Sequence, residues 1–164
     1  MTHVLVLDDD QPCRDTMRDS LEAAGFDVTA VSGLEEVANV LRGVRPNCIV
    51  VATTLVTGRE SAIDLVRTTR AADPKVGIVI VANGDIDLVE KEISGLDVWA
   101  VVEKPGDLEK LPDKVERACE FAAIPVDTKA KLADDLEMQT MMFQRVKRET
   151  RRIQTERILR PRDD

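Results

Sequence analysis

Five short apolar runs alternate along the chain with stretches whose apolar residues recur at three- and four-residue spacing. The runs fall near His3 to Asp8, Asp27 to Val31, Asn47 to Ala52, Val76 to Ala82 and Val98 to Glu103, and each is predicted to be a strand. The first intervening helix opens at Pro12, carries Met17, Leu21 and Ala24 on one face, and stops at Gly25. Later helices are predicted over Leu34 to Leu41, Ser61 to Ala71, Asp85 to Ile93 and Leu108 to Phe121, with Pro46, Pro74 and Pro105 breaking the chain between elements. Strand-then-helix repeated five times predicts an α/β fold: a five-stranded, doubly wound parallel sheet. Pro125 then marks a hinge, and Asp127 caps a last helix. The expected organisation is a body over 1–122, a hinge over 123–127 and a C-terminal helix over 128–164.

Composition supports this picture. Of 164 residues 43% are hydrophobic but only 2% aromatic, so aliphatic side chains must fill the core, as in a sheet covered by helices. No apolar stretch is long enough for a membrane span, and the first one ends in three aspartates, so a cytoplasmic protein without membrane contact is expected. Cys13, Cys48 and Cys119 are an odd number without redox-pair or metal-ligand spacing, and read as reduced thiols with no redox role. Charge is uneven: residues 1–125 hold 13 Lys/Arg against 23 Asp/Glu, whereas 126–164 hold 10 against 8.

In such sheets ligands bind beyond the carboxyl ends of the strands. The loops there are Asp8-Asp9-Asp10, Thr53-Thr54-Leu55, Asn83-Gly84-Asp85 and Lys104-Pro105-Gly106. Crowded carboxylates suit a hard cation such as magnesium, and a lysine arriving from the last strand could neutralise them. The plainer alternative is that the three aspartates only cap and solvate the first helix.

Val4-Leu5-Val6-Leu7-Asp8-Asp9-Asp10, the Gly84-Asp85 turn and Lys104-Pro105, in this order and within this βα pattern, resemble the receiver domain of two-component response regulators over roughly residues 1–122. The resemblance implies a flavodoxin-like receiver fold. It also implies that Asp8 and Asp9 match an acidic pair that holds magnesium, and that Lys104 matches the lysine of the phosphorylation site, typically followed by a cis proline. The implied phosphoacceptor position is Ala52, whose methyl group cannot attack a phosphoryl donor. The implied hydroxyl position in strand four falls on Ala82, or on Val81 after a one-residue slip, and neither has a hydroxyl. The implied aromatic switch is Val101, with Trp99 two residues earlier on the same side of an ideal strand. Loss of all three reads as a degenerate, pseudo-receiver mechanism with no catalytic residue.

Thr53 and Thr54 are poor substitute acceptors, being weak nucleophiles with no histidine nearby in the sequence. Only weak magnesium binding by Asp8 and Asp9, with the Thr54 carbonyl, stays open, and no cofactor is expected. Lys104 is then expected to act as a structural partner of Asp8 or Asp9 in a vestigial acidic pocket.

If residues 128–160 form one helix, Leu132, Leu136, Phe143, Val146 and Ile153 share an apolar stripe about 100° wide, with Met142 on its edge. The stripe suits either a partner-facing seam or packing against the body. As a heptad seam it is interrupted by Gln139 and Thr150, so a coiled coil through it would be weak or register-specific. Arg145, Arg148 and Arg152 lie opposite with Arg151 on the flank. They suit a solvated face, a contact with an acidic body, or non-specific contact with nucleic acid, although no sequence reader follows the receiver. His3 and Trp99 are read as packing residues, with partner anchoring the alternative for Trp99.

The expectation is therefore a non-enzymatic, phosphorylation-independent signalling module acting through a protein partner, homodimerising or docking through its C-terminal helix. The alternative is a regulator whose basic helix binds nucleic acid non-specifically; a third reading keeps phosphoryl transfer to an unexpected acceptor.

Overall fold

The computed structural model describes residues 1–53, 58–84 and 86–123. Five strands form one parallel sheet: β1 (His3–Leu7), β2 (Asp27–Val31), β3 (Cys48–Ala52), β4 (Gly77–Ala82) and β5 (Ala100–Glu103). Their spatial order is β2-β1-β3-β4-β5, the flavodoxin-like winding, so the strand order reverses between β1 and β3. The helices are α1 (Gln11–Ala23), α2 (Leu34–Gly43), α3 (Arg59–Ala72), α4 (Ile86–Glu92) and α5 (Leu111–Ala123). No described helix is long and apolar enough to cross a membrane.

The sheet is buried on both faces, which explains why β3 and β4 read as unbroken apolar runs. Alternate residues divide between two cores. Leu5, Leu7, Ile49, Val51, Ile78 and Ile80 pack under α2, α3 and α4 through Val37, Ile63, Val66 and Val89. Val4, Val6, Cys48, Val50, Val79 and Val81 pack under α1 and α5 through Met17, Leu21, Leu111 and Val115. The period of two thus appears as a sorting of side chains between helices, not between core and water.

Several boundaries differ from expectation for local reasons. Ala24 lies beyond α1 and is exposed, because its amide already closes the last turn and Gly25, at φ +96°, leaves the helix with its N–H on Glu22 O at 3.0 Å. The single helix expected from Leu108 is a 3₁₀ turn, Leu108–Lys110, followed by α5. Pro112 has no N–H to donate and fits only the first turn of an α-helix, so α5 starts beside it. Asp97 adopts φ 52° and the chain becomes a strand only at Ala100, so Trp99 precedes β5. Its ring does not follow Val101, which packs on the α2–α4 side, but lies 5.1 Å from Phe121 of α5 and stays 37% exposed.

α5 runs through Ala123, the first residue of the expected hinge. The rest of that hinge lies outside the described residues. So do the helix expected over 128–164, its stripe (Leu132, Leu136, Phe143, Val146, Ile153) and its basic face (Arg145, Arg148, Arg151, Arg152).

Candidate functional site

The carboxyl ends of β1, β3, β4 and β5 converge at the switch point. One residue beyond the Leu7–Val51 pair, Asp8 and Ala52 stand at adjacent strand ends; Thr53 N–H bonds Val81 O at 2.9 Å and Lys104 N–H bonds Ala82 O at 2.8 Å. Asp8, Asp9, Ala52, Ala82 and Lys104 therefore belong to one corner of the sheet.

Asp8 is fully buried and Lys104 is 6% exposed, and Lys104 Nζ lies 3.0 Å from Asp8 Oδ2. The other carboxylate oxygen accepts the Asp10 N–H at 3.0 Å, while Arg14 donates to the Asp8 backbone carbonyl at 2.8 Å. Both carboxylate oxygens are thus engaged within the chain. The capping reading of the three aspartates fails for Asp8. It does not hold for Asp10 either, which occupies the N-cap of α1 without a side-chain capping bond. The Asp10 carboxylate and burial instead push the Cys13 pKa up, so that the thiol keeps its proton. Asp9 is half-buried in the same loop. The Lys104–Pro105 peptide bond is cis.

Ala52 is fully buried and Ala82 likewise, so neither strand end carries a polar side chain. Thr53 is buried, and its hydroxyl donates to Val81 O at 3.4 Å. Val101 is half-buried in β5. Thr54 and Asp85 lie outside the described residues. Among the described residues no group of three or more His, Cys, Asp or Glu is arranged to hold a metal ion.

The family model for the response regulator receiver domain matches residues 4–116. The chain belongs to the response regulator receiver domain family. Solved structures agree on the fold. The receiver is similar to NtrX from Brucella abortus in complex with ADP (20% identity, TM-score 0.68), covering 82% of this chain but only 30% of that one. It is also similar to a sensor protein from Polaromonas sp. JS666 (23%, TM-score 0.65; 74% and 98% covered) and to a CheY-like receiver domain protein from Methanospirillum hungatei JF-1 (16%, TM-score 0.66; 74% and 96%). No curated protein matches the sequence. As a receiver the chain is a module of two-component signalling, which implies partners within such a pathway.

Three features of this receiver escaped sequence reasoning. Arg70, at the end of α3, donates to Leu96 O and Asp97 O at 3.0 Å each and to Pro74 O at 2.9 Å, tying the loops before β4 and β5 together. His3 joins β1 to β2, with Nδ1 3.0 Å from Asp27 Oδ2 and Nε2 3.1 Å from Thr29 Oγ1. Cys48 and Cys119, far apart in sequence, meet in the core under α1 and α5. Spacing rules see none of these, because each pairs residues from separate elements.

Proposed function

We propose that this receiver is a non-enzymatic signalling module that works without phosphorylation, through protein contacts. The observation that carries the reading is Ala52 at the end of β3 beside an Asp8 carboxylate already neutralised by Lys104. An acyl-phosphate needs a carboxylate nucleophile, and a cation to offset the charge of the incoming phosphoryl group. Ala52 supplies no nucleophile, and Lys104 is committed to Asp8. The Thr53 hydroxyl, the substitute within the described residues, is buried and bonded to a carbonyl, which counts against it as an acceptor.

The donors also argue against a resident magnesium. That ion demands a near-octahedral oxygen shell. Asp8 has one carboxylate oxygen on Lys104 and the other on the Asp10 amide, and Ala52 offers none. Magnesium at Asp8 would have to share a carboxylate already paired with a buried ammonium.

The decisive experiment is incubation of the full chain with acetyl phosphate and magnesium, read by intact mass. No phosphoryl adduct is expected; an adduct that maps to Thr53, Thr54 or any other residue of the pocket overturns the reading. Output through the C-terminal segment is the second half of the proposal, supported by the apolar stripe from Leu132 to Ile153. Sedimentation equilibrium should find a full-length dimer that becomes monomeric when the chain is cut after Ala122. A full-length monomer that shifts DNA in a steeply salt-dependent way would favour the basic face and nucleic acid instead.

A further inference from the structure

Cys48 opens β3 and is fully buried; Cys119 lies on α5 and packs against the same core. The helix can settle there because Gly77, the strand partner of Cys48 in β4, has no side chain. A Cβ at Gly77 would stand 3.0 Å from the backbone carbon and oxygen of Ala118, the neighbour of Cys119. The close approach sets Cys119 against the core that holds Cys48, near enough for the two thiols to shift each other's protonation, while the Cys48 thiol donates to the Ile49 carbonyl at 3.8 Å. Both cysteines are free thiols.

The two sulfurs differ in access. Cys119 lines a surface cavity of about 510 Å³ with Thr2, Phe26, Glu116 and Glu120, whereas Cys48 has no exposed surface. We propose that Cys48 and Cys119 are a peroxide-sensitive thiol pair, oxidised to an intrachain disulfide that ties the start of β3 to α5. Cys119 is the attacking sulfur and Cys48 the resolving one.

The chemistry follows from that asymmetry. The Cys119 thiolate attacks one oxygen of hydrogen peroxide; an S–O bond forms, the O–O bond breaks, and the departing hydroxide takes a proton to leave as water. The Cys48 sulfur then attacks the sulfenic sulfur of Cys119. The S–S bond forms, the S–O bond breaks, and the leaving hydroxide carries off the Cys48 proton as a second water. Two electrons pass from the two thiols to the peroxide. The neighbouring Cys48 thiol draws the Cys119 thiol below its ordinary pKa, although burial and the carboxylates of Glu116 and Glu120 oppose this. The same contact and complete burial push Cys48 well up, so it holds its proton until Cys119 is oxidised. Glu116, Glu120 and Asp113 around the cavity repel anionic oxidants such as glutathione disulfide, leaving a small neutral peroxide as the favoured reagent.

The test treats the folded full chain with a small molar excess of hydrogen peroxide, alkylates remaining thiols and maps the peptides by mass spectrometry. A Cys48–Cys119 cross-linked peptide, reversed by dithiothreitol, with Cys13 still alkylated, is the expected result. Cys119→Ser should abolish it and leave Cys48 reduced. Cys48→Ala should arrest oxidation at a Cys119 sulfenic acid that dimedone traps. If that buried substitution unfolds the chain, the wild-type map alone decides. Wild-type Cys119 that goes to sulfinic acid, links to another chain, or stays reduced while Cys13 oxidises would overturn the proposal.

Discussion

The two ends of the sheet use charge in opposite ways. At the carboxyl ends of the strands the Asp8–Lys104 ion pair is sealed from water, its side chains 0% and 6% exposed. At the amino ends, arginines sit near solvent: Arg45 is 79% exposed where it meets Asp73, and half-buried Arg70 spreads its bonds over backbone carbonyls. The bond lengths are alike, about 3 Å at both ends. Their energetic stakes are not, because an unpaired charge in a low-dielectric interior has no water to replace its partner. The sealed end is where a phosphorylatable receiver would do its chemistry. Under the function proposed above, it answers to neither an ion nor a phosphoryl group.

The largest effect should come from splitting the sealed pair. Lys104→Met leaves the Asp8 carboxylate buried with only the Asp10 amide and should lower the unfolding free energy by about 3–5 kcal/mol, read by urea denaturation. Domains of this size typically have about 5–15 kcal/mol in total, so much of the stability would go. Asp8→Asn combined with Lys104→Met should recover most of the loss, since no charge is then stranded. A single variant within about 1 kcal/mol of the parent would mean that the pocket admits water and the two ends are not so different.

The next effect down belongs to Arg70. Arg70→Ala releases four carbonyls at once, those of Asp73, Pro74, Leu96 and Asp97. They lie near the surface, where water can replace part of what is lost, so a cost of about 2 kcal/mol is expected. Hydrogen exchange should quicken in the loops before β4 and β5 and leave the protection of Asp10 N–H unchanged. Equal quickening at the Asp8 loop would show that the two ends are mechanically coupled.

This contrast also marks what could be read from the residues alone. The strands and their order of chemistry were legible because apolar runs such as Ile78 to Ala82 admit no other burial, and because topology sends functional side chains to the ends of β1, β3, β4 and β5. The end of β3 at Ala52 could be placed from the run Ile49-Val50-Val51. What stayed hidden depended on contact across elements. Nothing in the spacing of Cys48 and Cys119 announces that Gly77 lets α5 approach the sheet. Arg70 looks like one more surface cation on a helix until the left-handed turn at Asp97 presents carbonyls to it. Placing Trp99 on the Val101 side failed for a related reason: it assumed an ideal strand where the chain had not yet become one.

The smallest effect, and the sharpest probe of the exposed end, is the pH response of Asp73. Burial raises its pKa, but the Lys75 N–H at 2.9 Å and the Arg45 guanidinium at 2.9 Å more than offset this, and the carboxyl sits below its ordinary range. A carboxyl depressed in the folded state stabilises the protein above its unfolded pKa of about 3.9, and that contribution is lost as pH falls through the folded value. Asp73→Asn keeps an oxygen for the Lys75 amide but loses the charge facing Arg45. At neutral pH it should cost no more than about 1 kcal/mol, because Arg45 is mostly in water. The difference from the parent should then shrink as the pH is lowered from about 5 toward 3, followed by urea unfolding at each pH. A difference that stayed constant over that range would mean that Asp73 acts only as a hydrogen-bond acceptor. The amino end would then owe its strength to backbone bonds, and the sealed pair would be the main charge-dependent element among the described residues.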